Sequence, residues 1–274
     1  MSEPTRTWCT VRAFMLKTSG VAFSDEQIYL LEARLAPLAK QHRFATLDEY
    51  VTAACAGGGS STLGQTLIDA MTTHETFFFR DTSFWKAFEN QIIPALLASN
   101  RHSLRVWSAA CSHGQEAYSL AMLLEEKWPE LANNVTIVGT DVSPLAVERA
   151  QAGVYGAFEV NRGLGAARMI RHLEQTTGGF RVKQLLRDRV IWRVGNLLTD
   201  TFKAQTYDVI LCRNVLIYFG ETDRRTVLEK LCDAVRPGGY LGLGATEQFA
   251  RPSPSPGWYS IAPTAQLAQE KRTA

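Results

Sequence analysis

The sequence lacks the features that mark several specialised protein classes. It contains no C-x-x-C pair, and its five cysteines are odd in number and widely separated. This spacing argues against a zinc site and a disulfide framework, so we expect a reducing compartment and no metal. No run of 18 apolar residues occurs, so we expect no membrane span. Arg6, Arg12 and Lys17 interrupt the N-terminal region, which excludes the apolar core of a secretion signal and favours a cytoplasmic location.

Neither sign of charge is in large excess. The formal net charge is +2, so the sequence provides no global attraction to nucleic acid or lipid, and we expect neither as a partner. The apolar fraction of 46% and the charged fraction of 20% are ordinary for a soluble globular enzyme. The 274 residues are enough for a large core and for two domains. The sequence has no obvious heptad repeat or spare apolar stripe, so we expect a monomer.

Residues 1 to about 97 have a helical pattern and no convincing strand. A capping box at Ser24 opens a helix, and the basic residues Arg34, Lys40 and Arg43 lie toward its C-terminal half. Two interpretations stay open for them. Cations stabilise a helix C-terminus through the helix dipole, or the three residues form a docking face for an acidic partner helix.

Three consecutive phenylalanines, Phe77, Phe78 and Phe79, interrupt the polar segment TTHETFFFRD at residues 72–81. Three neighbours cannot all face one stripe of a helix. We therefore expect at least one of them to contact another domain or a ligand. A plain helix crossing packed by aromatic rings is the alternative.

After Pro94 the pattern changes to strands that alternate with helices, which predicts a nucleotide-type parallel sheet. The first strand covers residues 104–110, and the loop after it retains only Gly114 of a G-x-G-x-x-G fingerprint. That disfavours an NAD-dependent dehydrogenase. The second strand ends at Asp141. An acid there can accept the ribose hydroxyls of an adenosine cofactor, or it can cap the following helix.

A later buried strand, in YDVILCRNVLIYF at residues 207–219, ends abruptly in Arg213 and Asn214. Open α/β sheets bind their ligands at the carboxyl ends of such strands. The alternative is a strand that leaves the core and is capped by Arg213. The preceding residues 153–194 are rich in glycine and arginine, and we interpret them as an inserted antiparallel subdomain. Residues 190–194 resume the main sheet as a strand.

Six motifs in this order resemble those of the bacterial chemotaxis receptor methyltransferases, the CheR family. They are TTHETFFFRD, WSAACSHGQEAYSLAM, GTDVS, GNLL, CRNVLIYF and RPGGYLGLGATE. The resemblance implies an α/β fold in which a small all-helical N-terminal domain, residues 1–85, precedes a Rossmann-like methyltransferase domain, residues 86–274. It also implies an antiparallel β-subdomain inserted at about 153–194.

The resemblance further implies S-adenosylmethionine as the cofactor and a set of nine contacts to it. These are His74, Thr76, Arg80, Glu116, Asp141, Asn196, Leu197, Arg213 and Asn214. The family often has asparagine at the position of His74. Because histidine cannot present the paired donor and acceptor of an amide, we rank His74 below the other contacts.

The implied reaction transfers a methyl group to the side-chain carboxylate of a chemoreceptor glutamate, giving a methyl ester. Arg80 and Tyr218 are expected to orient that carboxylate. The implied partner is the acidic coiled coil of a chemoreceptor, and the basic residues Arg34, Lys40 and Arg43 are our candidate docking face for it. Family members that grip a peptide at the receptor's C-terminus have a longer loop than residues 176–179 here, so we expect no such tether.

Two other functions stay open at this point. One is a methyltransferase that acts outside chemotaxis, since a fold does not determine a substrate. The other is a cofactor-binding scaffold without turnover. The presence of Arg80, Asp141, Arg213, Asn214 and Tyr218 speaks against the scaffold.

Overall fold

The computed structural model describes residues 5–247, 249 and 257–261. Up to Ala98 the described residues form helices and turns, as the sequence predicts. The α-helices are α1 (Arg6–Ser19), α2 (Ala36–Gln41), α3 (Leu47–Ala56), α4 (Thr62–Met71), α5 (Thr82–Ala87) and α6 (Ile93–Ala98), with a 3₁₀ turn at Asp25–Tyr29 and π-helical turns at Leu31–Leu35 and Phe88–Ile92.

Side-chain caps explain where several of these helices begin. The hydroxyls of Thr5, Thr46 and Ser61 accept main-chain N–H groups in the first turns of α1, α3 and α4. At the capping box, the main-chain N–H of Ser24 donates to the Gln27 side chain at 2.9 Å. The helices bury their apolar faces against one another in a core that includes the fully buried Trp8, Leu35 and Leu67.

The large sheet has six strands in the order β6-β2-β1-β7-β8-β9. All neighbouring strands are parallel except β9, which runs antiparallel to β8. The strands are β1 (Leu104–Ala109), β2 (Val135–Asp141), β6 (Val190–Val194), β7 (Tyr207–Cys212), β8 (Val235–Leu243) and β9 (Trp258–Ser260). The chain adds β2 and β6 on one side of β1, and then β7 and β8 on the other side. The topological switch point therefore lies between β1 and β7.

Helices cover both faces of this sheet. Successive side chains of β1 point to opposite faces, so Val106 joins one apolar core and Trp107 joins the other. Buried residues of α7 pack in the first core and those of α13 in the second. The helices that follow strands of the sheet are α7 (Gln115–Lys127), α8 (Pro129–Ala132), α9 (Pro144–Ala152) and α13 (Glu221–Ala234). The predicted Rossmann-like α/β fold is confirmed.

A small antiparallel sheet lies in the insertion between β2 and β6. Its strands follow the order β3-β5-β4, and the segment also contains three short helices. These elements are β3 (Val154–Tyr155), α10 (Ala157–Asn161), α11 (Ala166–His172), β4 (Leu173–Thr176), β5 (Gly179–Val182) and α12 (Gln184–Arg187). Within the predicted range 153–194, β6 pairs with β2 and belongs to the large sheet, as its apolar pattern predicts.

The phenylalanine segment joins these parts of the molecule. Phe78 is fully buried, and its ring centroid lies 5.1 Å from that of Tyr155 in the insertion. The main-chain N–H of Phe79 donates to the hydroxyl of Ser119 in α7 at 2.9 Å. The expectation that at least one of these phenylalanines contacts another domain or a ligand is confirmed by Phe78, which packs on Tyr155 of the inserted subdomain.

Candidate active site at the carboxyl edge of the large sheet

A cavity of about 260 Å³ lies at the carboxyl ends of β1, β2 and β7, beside the switch point. Its other side is formed by residues of the N-terminal helices and by the segment that contains the phenylalanines. All ten residues predicted to bind the cofactor or to orient the substrate line this cavity: His74, Thr76, Arg80, Glu116, Asp141, Asn196, Leu197, Arg213, Asn214 and Tyr218.

The main chain around the cavity is strained. Eight non-glycine residues in the described part of the chain have positive φ, and five of them lie in or next to its wall. Such conformations cost energy and cluster where a site requires a particular geometry. These five residues are Phe79, Asp81, Ala110, Ser112 and Asn214.

Asp141 ends β2 with its carboxylate buried. One oxygen accepts the main-chain N–H of Ser112 at 2.8 Å, and the other accepts that of Ser143 at 3.0 Å. Burial raises the pKa of Asp141, and the bond from Ser143 opposes that rise. The hydroxyl of Ser143, and not Asp141, accepts the N–H of Ala146 at the start of α9. Capping therefore leaves Asp141 available to the cavity.

Arg213, whose side chain is buried, forms an ion network in the cavity wall. Its guanidinium donates to Glu116 at 2.9 Å and to Asp81 at 2.7 Å, and it lies 4.0 Å from the ring centroid of Phe84. Glu116 also accepts the hydroxyl of Ser108 at 2.7 Å. The network connects β1, α5, α7 and the end of β7, so Arg213 does more than cap its own strand.

Glu247 is a functional candidate that the sequence reasoning missed. Its buried carboxylate accepts main-chain N–H groups from Asn214, Val215 and Leu216 at 2.7–2.9 Å, and from Gly244 at 2.7 Å. It therefore holds the turn that presents Asn214 to the cavity. The available signal was its place as the last residue of the RPGGYLGLGATE motif.

His74 bridges the helical side of the cavity to the sheet. Its Nε2 lies 2.8 Å from the Thr72 hydroxyl and 3.3 Å from Asp69, and Asp69 accepts a hydrogen bond from the hydroxyl of Ser143. Burial lowers the pKa of His74, but the hydrogen bond to Asp69 and the charge of Asp141 outweigh it and raise the pKa above its usual value.

Arg80 and Tyr218 face the cavity from different parts of the chain. The guanidinium of Arg80 donates to the main-chain carbonyl of Glu75 at 2.9 Å. The main-chain carbonyl of Tyr218 accepts the N–H of Ala22 at 2.9 Å, and an isolated bridge pairs Val21 with Phe219. The N-terminal residues are thus attached directly to the loop that carries Tyr218.

The side chain of Asn196 is occupied by the protein itself. Its amide nitrogen donates to the carbonyl of Thr18 at 2.6 Å, and its oxygen accepts the N–H groups of Leu198 and Thr199 at 2.8 and 3.3 Å. The side chain fastens this turn to α1. An adenine in the cavity can therefore contact the main chain of Asn196 and Leu197 and the apolar side chain of Leu197.

The guanidinium of Arg34, predicted as part of a docking face, is instead bonded within the protein. Its guanidinium donates to the carbonyls of Ala70, Met71 and Thr72 at 3.1–3.2 Å, and it lines the cavity. It satisfies carbonyls at the C-terminus of α4 that lack partners within the helix. Lys40 and Arg43 are exposed.

Residues between 21 and 30 form a part of the cavity wall that the sequence did not predict. Val21, Ala22, Phe23, Gln27, Tyr29 and Leu30 line the cavity. Gly20, with a φ of 75°, ends α1, and a Cβ there would lie within 2.5–2.8 Å of the Phe219 ring. Only a glycine allows that close approach. The sequence around Gly20 gives no sign that this residue meets Phe219, which lies far along the chain.

The chemistry of the cavity suits an adenosyl cofactor. Each oxygen of Asp141 already accepts one N–H, and a carboxylate has capacity for about four hydrogen bonds, so two ribose hydroxyls can still be accepted. Leu197 and Val142 provide apolar surface for a purine ring. Within the described residues, no group of three or more His, Cys, Asp or Glu side chains could hold a metal ion. The fold and this site define a methyltransferase that depends on S-adenosylmethionine.

Comparison with known proteins specifies the family. The model of the CheR methyltransferase, SAM binding domain, matches residues 74–262. Chemotaxis protein methyltransferase 1 of Pseudomonas aeruginosa is 38% identical over 242 residues, which cover 86% of this chain and 88% of that protein. Chemotaxis protein methyltransferase Cher2 of Pseudomonas putida is 36% identical, with 86% and 88% covered. The corresponding enzyme of Vibrio parahaemolyticus is 36% identical, with 86% of each covered. The chain belongs to the CheR methyltransferase family.

Proposed function

We propose that this protein methylates the side-chain carboxylate of glutamates on chemoreceptors, giving methyl esters. The observation that carries the proposal is the convergence of Arg80 and Tyr218 on the cavity that also contains Asp141, Arg213 and Asn214. The three relatives are all chemotaxis protein methyltransferases, which supports chemotaxis as the context. We place the enzyme in the cytoplasm. No helix among the described residues is long and apolar enough to cross a membrane.

The protein's part in the reaction is to bring two reactants together. A glutamate with an ordinary pKa of about 4.3 is ionised at neutral pH, so the site needs no general base. S-adenosylmethionine, when bound, supplies the methyl group. Arg80 holds the carboxylate with a charge-assisted hydrogen bond, and the Tyr218 hydroxyl adds a neutral one. Alignment of this kind can lower a barrier by several kcal/mol.

The receptor coiled coil docks on the exposed Lys40 and Arg43, without Arg34. Both residues lie at the end of α2 or just after it. A rim charge mainly affects association and its salt dependence. We therefore expect Lys40→Glu with Arg43→Glu to raise KM for receptor at low salt. An unchanged KM would contradict this docking face.

The enzyme acts without gripping a C-terminal receptor peptide. β4 and β5 are joined by a turn of only two residues, Thr177 and Gly178, which leaves little loop to enclose a peptide. Titration of a receptor C-terminal peptide should show no binding in the micromolar range. Micromolar affinity would refute the absence of a tether.

The central experiment is transfer of a labelled methyl group to receptor-rich membranes. The expected product is a base-labile label on the receptor, since esters hydrolyse in base. Arg80→Ala and Tyr218→Phe should reduce the rate at saturating cofactor, by roughly tenfold or more for Arg80→Ala because it removes a charge-assisted bond. Arg105→Ala, the same change at an exposed arginine away from the cavity, should leave the rate unchanged. Full rates in both Arg80→Ala and Tyr218→Phe would reject the assigned roles.

A further inference from the structure

A second arginine, Arg162, lies against Phe77, the same lining residue that Arg80 contacts. Arg162 follows α10 in the insertion, and its guanidinium lies 4.3 Å from the ring centroid of Phe77 and 2.7 Å from the carboxylate of Glu75. Arg80 lies 5.7 Å from the same ring. Glu75, Phe77 and Arg80 all line the cavity. Two guanidiniums and one carboxylate are thus grouped around one phenylalanine.

The close approach of the insertion to this segment is built into the main chain. Gly163 has a φ of 105°, and a Cβ at this position would collide with the carbonyl of Phe78. A side chain is therefore excluded there, and this lets the loop place Arg162 against Phe77. The stacking on an aromatic ring restricts the guanidinium before any partner arrives.

The Glu75–Arg162 ion pair is too exposed to be explained by stability. The Arg162 side chain is 42% exposed and that of Glu75 is 60% exposed. An ion pair at such an exposed site contributes little to folding, and another carboxylate can replace its acid at little cost. Arg162 nevertheless lowers the pKa of Glu75 through a hydrogen bond and through its charge. The guanidinium therefore attracts carboxylates in this position.

We propose that Arg162 is a docking residue for substrate. It binds an acidic side chain next to the glutamate that is methylated. Before substrate binds, Glu75 forms an ion pair with the Arg162 guanidinium. The inference rests on the proposed function, since it requires an acidic protein segment at the cavity. It assigns Glu75 the role of an internal competitor, so that only a segment with acidic residues at a suitable spacing displaces it. Arg162 then selects the sequence around the target glutamate, while Arg80 orients the target itself.

Docking and a purely structural ion pair predict opposite patterns. If the pair is structural, Glu75→Gln and Arg162→Ala remove the same contact and change the enzyme in the same direction. If Arg162 docks substrate, Arg162→Ala weakens receptor binding, but Glu75→Gln strengthens it because the guanidinium loses its competitor. The double variant should then behave like Arg162→Ala alone.

The test is receptor methylation kinetics at low and high salt with the full-length enzyme. We expect Arg162→Ala to raise KM for receptor roughly tenfold, the effect of one lost charge-assisted contact. Glu75→Gln should lower KM several-fold. In both variants kcat and affinity for S-adenosylhomocysteine should stay within about twofold of the parent protein, which also reports correct folding. Arg162→Lys should be intermediate because it keeps the charge and loses the planar stack.

Arg105→Ala provides a matched control. Arg105 is also exposed and also lies against an aromatic ring, 5.8 Å from that of Tyr207, but it belongs to the opposite end of β1. It should leave KM unchanged. Equal shifts in Glu75→Gln and Arg162→Ala, or an unchanged KM in both, would overturn the docking role. If the double variant kept the lower KM of Glu75→Gln, the docking role of Arg162 would also be overturned. The effect of Glu75 would then not depend on Arg162 and would have to act through Arg80.

These outcomes are separable from a failure of the proposed function. If the parent enzyme labels receptor membranes and the variants show no opposed shifts, the proposed function stands and the docking role is wrong. If the parent enzyme binds S-adenosylhomocysteine but labels no receptor, the proposed function is wrong, and the docking role fails with it.

Discussion

The two walls of the cavity are held in different ways. The sheet wall, formed by Glu116, Asp141, Arg213 and Asn214, is tied by buried or partly buried hydrogen bonds. Three of these bonds join residues 29 to 97 positions apart in the chain. The helical wall, which includes lining residues between 21 and 34 and between 74 and 80, is attached by bonds to main-chain carbonyls, such as those from Ala22 to Tyr218, from Ser112 to His74 and from Arg213 to Arg80.

The difference separates two tasks. Breaking a buried ion pair is costly because it leaves a charge without its partner, and the hydrogen bonds of this wall hold Glu116, Asp141 and Asn214 in place. The sheet wall therefore provides a cofactor site whose shape does not depend on the substrate. The helical wall, with Arg80 and the neighbouring Arg162 at the rim, supplies groups that can exchange a protein partner for a reactant.

The largest effect should come from removing the cation of the sheet wall. Arg213→Ala leaves Asp81 and Glu116 without their shared guanidinium. We expect a loss of about 3 kcal/mol, the lower end of the range for breaking a buried ion pair, because water can reach the partly exposed Asp81. Urea denaturation measures the loss. Arg162→Ala is the control at the rim, where the loss should be about 0–1 kcal/mol. If the two variants lose equal stability, the contrast between buried wall and exposed rim is wrong.

A smaller effect should follow from neutralising Glu247. In Glu247→Gln one oxygen becomes an NH₂ group, which then faces two main-chain N–H donors. Unsatisfied buried donors cost about 1–3 kcal/mol, and the turn at Asn214 should loosen. Calorimetry should detect weaker binding of S-adenosylhomocysteine than in the parent protein. Glu229→Gln, at an exposed position of α13, is the control. Unchanged cofactor affinity would show that Glu247 does not position Asn214.

The smallest effect concerns two histidines where the walls meet. The rings of His74 and His113 are stacked with centroids 5.2 Å apart. Burial, with the charges of Arg149 and His74, lowers the pKa of His113 to about 4. The unfolded chain then binds the extra proton below about pH 6.5, so the stability from neutral His113 is lost as the pH falls from 6.5 toward 4.

The pKa of His74 is raised, so its contribution has the opposite sign. It is present below about pH 6.5 and is lost as the pH rises through the raised value. Melting temperatures between pH 4.5 and 8 should show less acid loss in His113→Asn than in the parent protein. In His74→Asn the loss toward higher pH should decrease. Parallel curves for all three proteins would mean that neither histidine is coupled to folding.

The sequence was most informative for the polar side chains at the carboxyl ends of buried strands. Asp141 and Arg213–Asn214 follow buried strands, and parallel strands bring their carboxyl ends to one edge, so their convergence follows from local pattern and topology. The motif that carries Thr76 and Arg80 came from the family resemblance. The resemblance also implied its position over that edge, whereas the three adjacent phenylalanines predicted only a contact with another domain or a ligand.

Local pattern was insufficient where one side chain links distant segments. Arg34 has the sequence features of an exposed helix cation, yet it caps α4 more than thirty positions away in the chain. The amide of Asn196 is used by α1, and Glu247 holds a turn that ends β7. Arg162 meets Glu75 across 87 residues.

The sequence by itself determined the fold class and the edge of the sheet that forms the site, because periodicity and strand ends are local properties. The residues contributed from outside the strand ends were implied by the family resemblance, and the wall formed by residues 21–30 was not predicted. Only the tertiary structure decided which polar groups are already occupied by the protein and which are left for ligands. A hydrogen bond depends on distances of about 3 Å between atoms, and such distances between remote segments arise only when the whole chain has packed.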